Sequence, residues 1–255
     1  LVDAFWVSGL GADALTAVGL FFPFFFMVMA LATGLGTGGG ATISRYIGAK
    51  DKSGADRVAT HTMVYMVIVS VLLMLPFMIF ARPMYQALGA GDTIDDTVAY
   101  SNILFSGTVV IFFGNVANAL LRAEGDANRA MFAMLLGGIL NIILDPIFIY
   151  TLGMGVAGAA WATLLSLCVS ALLLFYWLFF KKNTYVDFHF KGFRFDQGIT
   201  RAIFSVGLPA SVQQLTMSIN MLIMNMINIG VAGTDGVAVL TTGWRISTFG
   251  IMPLM

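Results

Sequence analysis

The sequence predicts an all-α polytopic membrane protein. Hydrophobic residues make up 59% of the 255-residue chain and charged residues 10%, whereas soluble domains are about 45–50% apolar and about 25% charged. The mean hydropathy is +0.90. Long apolar stretches also recur along the chain, and about 20 such residues in a helix cross a bilayer. These observations exclude an ordinary soluble domain and favour a bundle of membrane-spanning helices.

The apolar stretches predict about 7.5 transmembrane helices. Glycine-containing turns separate them, at residues 9–11, 48–54, 89–92, 125–126, 153–155 and 230–236. The predicted helices are a remnant at 1–8 and spans near 15–44, 58–80, 98–121, 131–152, 156–180 and 201–229, with an eighth that starts near 237. Since the chain opens and closes within hydrophobic segments, we expect it to be part of a longer protein.

The basic residues predict the orientation in the membrane. Eleven of the 13 Lys and Arg residues follow predicted helices two, four and six. Lys and Arg are retained on the cytoplasmic side of membranes. These loops and the N-terminus are therefore predicted to be cytoplasmic.

An internal repeat predicts two lobes. Residues 8–18 at the exit of helix one resemble residues 229–239 at the exit of helix seven. A six-helix unit that restarts is typical of a transporter built around a central cavity. The predicted domains are an N-lobe (1–180), a cytoplasmic linker (181–200) and the start of a C-lobe (201–255). The linker alternates basic and aromatic residues, which favours an interfacial segment over nucleic-acid binding.

Asp145 marks the first candidate site, because a carboxylate in an apolar helix costs a few kcal/mol and is by default functional. Asn141 shares its helix face at a spacing of four residues. At 1.5 Å per residue from the predicted external turns, Asp3, Asp145 and Thr163 lie at a similar depth. These four side chains predict a site for a hard cation, H⁺ or Na⁺. The alternative is that they only join helices as polar contacts.

Further polar residues predict a substrate cavity. They form one stripe on helix four and another on helix seven, which favours a wet cavity between the two halves. The alternative for each is interhelical hydrogen bonding without solvent. The predicted cavity residues are Tyr100, Asn115, Asn118, Gln214, Ser218, Met221 and Asn225.

Other motifs do not predict catalysis. The glycine run at residues 34–39 matches a dinucleotide fingerprint in its letters, but no strand precedes it, so close helix packing is its expected role. Cys168 is the only cysteine, which excludes disulfides and thiolate metal sites within the chain. His61 and His189 share no metal-ligand spacing. We therefore expect neither an enzyme nor a cofactor.

Four stretches carry a resemblance to a known family. They are Leu-Val-Asp-Ala-Phe-Trp-Val-Ser-Gly-Leu-Gly at Leu1, Arg-Ala-Glu-Gly-Asp at Arg122, Asn-Ile-Ile-Leu-Asp-Pro at Asn141 and Gly-Leu-Pro-Ala at Gly207. With them the chain resembles the multidrug and toxic compound extrusion (MATE) family, and within it the DNA-damage-inducible-protein-F-like branch. The resemblance implies two six-helix lobes, alternating access, and export of cationic or amphipathic drugs in exchange for H⁺ or Na⁺.

The resemblance also implies roles for particular residues. By position, Asp3, Asn141, Asp145 and Thr163 match the cation site of that branch. The positions of Tyr100, Asn115 and Asn118 match residues that line its substrate cavity.

The implied protein is a multi-pass antiporter of the plasma or inner membrane, monomeric, with drugs or organic cations and membrane lipid as partners. One alternative is a flippase for lipid-linked oligosaccharides from the same superfamily, which would need a basic cavity. A receptor or channel without transport is a weaker alternative. The choice between H⁺ and Na⁺, the substrate, and the partner of Arg245 are left open by the sequence.

Overall fold

The chain folds into a bundle of α-helices. The computed structural model describes residues 2–181 and 184–251, except the side chains of 2–4, 217, 232–235, 237–238, 241 and 244–251. Asp3 and Arg245 therefore lie outside the described side chains. No strand occurs within the described ranges, which confirms the all-α prediction. The helices are α1 (Val2–Ser8), α2 (Ala12–Gly48), α3 (Lys52–Ala87), α4 (Ile94–Ser106), α5 (Thr108–Ala123), α6 (Ala127–Pro146), α7 (Gly155–Phe179) and α8 (Gln197–Ile251).

Several of these helices are long and apolar enough to cross a membrane. In the described part of the chain they are α2, α3, α7 and α6 with the turn that follows it, and the bent pair of α4 and α5 forms a fifth span. The prediction of a polytopic membrane protein is confirmed, although the predicted number of spans is larger than five.

The span predicted at residues 98–121 is present, but it consists of two helices, α4 and α5, with a bend of 48° between them. At the break, the Gly107 amide donates to the Leu104 carbonyl at 3.1 Å. A β-carbon at Gly107 would overlap Leu164 of α7. The glycine thus lets the bent backbone approach α7 closely, a tertiary contact that hydropathy does not report.

The predicted turn at residues 230–236 is also wrong, because α8 continues through it as one helix. Glycine costs about 1 kcal/mol in a helix interior. The backbone hydrogen bonds of the continuous helix offset that cost, because each adds a partner for a backbone group that a turn would leave to solvent.

Aromatic side chains hold α2, α3 and α4 together. Phe77 stacks on Phe105 at a centroid distance of 4.8 Å, and Phe24 meets Tyr85 edge to face at 5.5 Å. The Tyr85 hydroxyl accepts a hydrogen bond from Ser101 Oγ at 2.7 Å. Each aromatic pair contributes about 0.5–1.5 kcal/mol beyond its buried area. The helices α2, α3 and α4 thus pack as one unit.

Glycines allow α2 and α8 to cross at close range. A β-carbon at Gly207 of α8 would lie 2.8 Å from the Gly34 carbonyl oxygen. A β-carbon at Gly38 would overlap the Ile203 carbonyl oxygen, and one at Gly34 would overlap Ser211. Small residues are what membrane helices use for such contacts. The predicted packing role of the 34–39 run is confirmed.

Candidate functional site

A buried polar cluster joins α6 to α7. The Asn141 amide nitrogen donates to Asp145 Oδ1 at 3.2 Å and to Thr163 Oγ1 at 3.3 Å. Asp145 is fully buried, while Asn141 and Thr163 are half-buried. The structure thus brings together three of the four residues predicted for the cation site.

The local sequence explains why the cluster lies at the end of α6. Asn141 and Asp145 are four residues apart, so they point to the same face of a helix. Pro146 follows and cannot donate a backbone hydrogen bond. The helix then widens into a π-helical turn over Ile147–Thr151, where the Leu152 amide donates to the Ile147 carbonyl at 2.9 Å. Such turns are frequent at functional sites.

The fourth predicted residue, Asp3, lies on a helix that packs against the same two elements. The helix α1 contacts both α6 and α7. The Tyr150 hydroxyl donates to the Trp6 carbonyl at 2.6 Å. A β-carbon at Gly9 would overlap Tyr150 Oη, so the glycine leaves room for this side chain to approach α1. The Asp3 side chain lies outside the described residues, so its membership of the cluster stays a prediction.

The cluster has the chemistry of a proton or hard-cation site. A buried carboxylate is expensive in apolar surroundings unless a proton, a cation or hydrogen bonds neutralise it. Asp145, Thr163 and the Asn141 amide oxygen are all ligands that hard cations prefer. In the part of the chain that is described, no three His, Cys, Asp or Glu residues lie together as a transition-metal site would require. These residues therefore fit H⁺ or Na⁺.

A cavity of about 320 Å³ lies between α2, α5, α6 and α7. Asn115 and Asn118, both predicted cavity residues, line it. Asn115 Nδ2 donates to the Ile111 carbonyl at 2.9 Å, and Asn118 Nδ2 donates to the Ala130 carbonyl at 2.9 Å. The Asn118 Oδ1 atom is buried and has no hydrogen-bond partner among the described residues. The volume is at the lower end of small-molecule sites.

Tyr100 does not line this cavity. It is buried, and its ring meets Phe21 edge to face at a centroid distance of 5.1 Å. The structure therefore places Tyr100 in the packed interior of the bundle, next to α2.

The predicted residues on helix seven lie in α8 and do not line this cavity either. Asn225 Nδ2 donates to the Gly19 carbonyl at 3.1 Å, and Ser218 Oγ donates to the Pro23 carbonyl at 2.5 Å. Both side chains are buried against α2. The alternative given for them, interhelical hydrogen bonding, is thus the contact that the structure contains. Gln214 and Met221 are half-buried on the same helix.

Pro23 explains why α2 needs these partners. Proline has no backbone N–H, so the carbonyl four residues earlier, on Gly19, loses its intrahelical donor. Asn225 supplies a donor from another helix. Proline in membrane helices is tolerated where such a replacement exists.

Sequence reasoning missed the residues that bind the linker. Glu124 accepts hydrogen bonds from the backbone amides of Tyr185 at 3.0 Å and Val186 at 3.1 Å. Asp56 Oδ1 accepts from the Asp187 amide at 2.8 Å. Burial raises the pKa of Glu124, and the two donated hydrogen bonds partly oppose that rise. The Arg-Ala-Glu-Gly-Asp stretch was the available signal, since it contains Glu124.

Comparison with known proteins identifies the family. The sequence model of the MatE family matches residues 1–147, more than half of the chain. The chain belongs to the MatE family. It is 30% identical over 247 residues to "Multidrug export protein MepA" of Staphylococcus saprophyticus subsp. saprophyticus, a match that covers 95% of this chain and 53% of that protein. The chain therefore spans about half the length of this MatE relative.

Solved structures agree with the family and the fold. The chain is 49% identical, with a TM-score of 0.96, to a structure described as the inward-facing conformation of a multidrug resistance MATE family transporter. That match covers 100% of this chain and 58% of the other. The outward-facing conformation of such a transporter matches at a TM-score of 0.88 and 49% identity, covering 99% and 56%. The MATE-like fold predicted from the sequence is confirmed, and its helices are arranged more as in the inward-facing structure.

Proposed function

We propose that the intact protein is a secondary active antiporter that exports cationic or amphipathic small molecules in exchange for H⁺ or Na⁺. The observation that carries the proposal is the fully buried Asp145, hydrogen-bonded to Asn141, which also reaches Thr163 on the next helix. The family membership and the name of the relative, a multidrug export protein, support the same activity.

The cation cluster and the cavity share the contact between α6 and α7. Gly137 of α6, one helical turn before Asn141, and Ser170 of α7 both line the cavity, and a β-carbon at Gly137 would lie 2.8 Å from Ser170 Oγ. A proton or Na⁺ at Asp145, with Asp3 as a second carboxylate, changes the balance between the two hydrogen bonds that the Asn141 amide donates, one to Asp145 of α6 and one to Thr163 of α7. The tight packing passes that change to the cavity wall, so that cation binding collapses the cavity and releases the substrate.

The cavity lining suits a small amphipathic cation. Its apolar wall includes Phe25, Met29 and Met134, and methionine adapts to ligands of varied shape. The buried Asn118 Oδ1 is an acceptor with no partner among the described residues, so it suits a ligand N–H group. We propose amines and other organic cations as the substrate class.

Efflux from proteoliposomes under separately imposed H⁺ and Na⁺ gradients tests the function. We expect one gradient to drive efflux and Asp145→Asn to abolish the drive. Thr163→Val, which keeps the shape and removes the oxygen ligand, should weaken the drive, and Thr163→Ser should largely retain it. Ser166→Ala is the matched control, because the Ser166 hydroxyl bonds within α7 to the Ala162 carbonyl. Efflux that neither gradient drives would refute antiport.

We propose that the protein lies in the plasma or inner membrane with a cytoplasmic N-terminus. We also propose that it is a monomer and that the surrounding lipid is a partner. The cytoplasmic assignment rests on the basic loops.

The second candidate, a flippase for lipid-linked oligosaccharides, would need positive charge for a pyrophosphate. Among the residues that the structure describes, Arg122 is the single basic one that lines the cavity, and it is exposed. The lining therefore favours drug export over the flippase.

A further inference from the structure

A second cavity, of about 890 Å³, lies between the first turns of α3 and the linker that precedes α8. It is far more polar than the cavity between α2, α5, α6 and α7. Basic residues from both walls line it, namely Lys52 and Arg57 from α3 and Lys191 and Arg194 from the linker.

Hydrogen bonds and ring contacts hold the linker wall in place. The His189 amide donates to Thr60 Oγ1 at 3.1 Å, and the Asp196 amide donates to His61 Nε2 at 3.0 Å. The Phe193 ring lies over His61 at a centroid distance of 4.7 Å. Because His61 Nε2 accepts this hydrogen bond, the ring N–H is on Nδ1, which donates to the Arg57 carbonyl at 2.7 Å. The wall is therefore formed before any ligand binds.

A tight turn presents one of the basic side chains. The Phe193 amide donates to the Phe190 carbonyl at 3.3 Å, and Gly192 between them has φ 80°. This is the geometry of a type II turn, whose third position favours glycine. Lys191 occupies the second position, the exposed corner of the turn.

The charges in this cavity are unequally neutralised. Lys52 lies 3.1 Å from Asp56 and 2.5 Å from Asp187, and Arg57 lies 3.9 Å from Asp196. No acidic side chain of the described residues lies within ion-pair distance of Lys191 or Arg194. The cavity thus keeps two positive charges for a ligand.

Exposed aromatic rings flank these bases on the linker. Phe190 is 51% exposed and Phe195 is 60% exposed. Aromatic rings beside basic residues are typical of segments at the membrane interface. The apolar part of α3 begins a few residues beyond the cavity, so the cavity lies at the membrane boundary.

We propose that this cavity binds the phosphate headgroup of an anionic lipid from the cytoplasmic leaflet, with Lys191 and Arg194 as its main contacts. The inference rests on the cytoplasmic orientation in the proposed function. Basic clusters next to a membrane helix attract anionic headgroups. The exposed phenylalanines favour a lipid over free phosphate, because they would pack against its acyl chains.

The test is lipid retention by the intact purified protein, measured by native mass spectrometry after incubation with phosphatidylglycerol or phosphatidylcholine. We expect Lys191→Gln with Arg194→Gln to reduce the affinity for phosphatidylglycerol roughly thirty-fold, at about 1 kcal/mol for each base. The matched control is Arg45→Gln with Lys50→Gln, which removes two cytoplasmic charges outside the cavity.

Each outcome decides the proposal. An equal decrease in the affinity for phosphatidylglycerol in both double variants, or no decrease in either, would overturn it. Displacement of the lipid by inorganic phosphate at equal concentration would indicate a free-phosphate site and overturn the lipid assignment. Since retention needs no transport, it is independent of whether the antiport experiment succeeds.

Discussion

Asn225 supplies the hydrogen bond that Pro23 denies to the Gly19 carbonyl, so we predict that Asn225→Ala destabilises the intact protein. Asn225 is 2% exposed, and its amide lies 3.1 Å from the carbonyl oxygen. An orphaned buried acceptor costs about 1–3 kcal/mol. Hydrogen bonds between membrane helices average about 0.6 kcal/mol and reach about 1.7 kcal/mol.

The upper part of that membrane range applies here, about 1–1.7 kcal/mol. When a mutation removes a hydrogen-bond donor on a neighbouring helix, most backbone carbonyls of a membrane helix still accept from the N–H group of their own helix. The Gly19 carbonyl cannot, because residue 23 has no N–H. The loss falls on the contact between α2 and α8, which join the N-lobe to the helix that starts the predicted C-lobe.

A double-mutant cycle with Pro23→Ala isolates this term. Alanine restores the N–H to the Gly19 carbonyl, so Asn225→Ala should cost much less in the Pro23→Ala background than in the parent. Reversible unfolding in detergent micelles measures each free energy. Asn228→Ala is the matched control, because Asn228 bonds to the Met224 carbonyl of its own helix and is expected to cost under about 0.5 kcal/mol. Equal costs of Asn225→Ala in both backgrounds would refute the reasoning.

Two further predictions concern the linker and the helix crossing. Burial raises the folded-state pKa of Glu124 above its ordinary value of 4.5. The contribution of the Glu124 side chain to the free energy of unfolding should therefore fall as the pH rises above 4.5, and it should be constant once the pH exceeds the raised pKa. The difference in unfolding free energy between the parent and Glu124→Gln, measured across that window, should show this fall, and a flat difference would contradict it. Gly207→Ala should cost about 2–3 kcal/mol, since its β-carbon would meet the Gly34 carbonyl oxygen at 2.8 Å. Gly230→Ala on the same helix, with open space at its β-carbon, is the control and should be neutral or stabilising, so equal losses would exclude the close crossing.

Several parts of this structure follow from local patterns in the sequence. The apolar stretches predict where α2, α3, α6 and α7 lie, because helix length and hydropathy are local properties, although α3 extends beyond the predicted span at both ends and the stretch at 98–121 is bent between α4 and α5. The spacing of Asn141 and Asp145 predicts their shared face, and the depth count from the turns predicts that Thr163 lies beside them. The glycine run at 34–39 predicts close packing because only small residues permit it.

Other parts depend on contacts between distant residues. The close approach at Gly107 involves Leu164 of α7, and the roles of Ser218 and Asn225 require the carbonyls of α2. A polar stripe on one helix has the same pattern whether it faces water or a carbonyl, so the sequence left both readings open.

The sequence by itself determined the family, the helical membrane fold and the pair of polar residues around Asp145. The tertiary structure decided which polar residues line a cavity, which join helices, and which bind the linker through Glu124, Asp56, Thr60 and His61. The physical reason is that composition and periodicity are properties of one segment. A hydrogen-bond partner 135 residues away, as for His61 and Asp196, is specified only when the helices have packed.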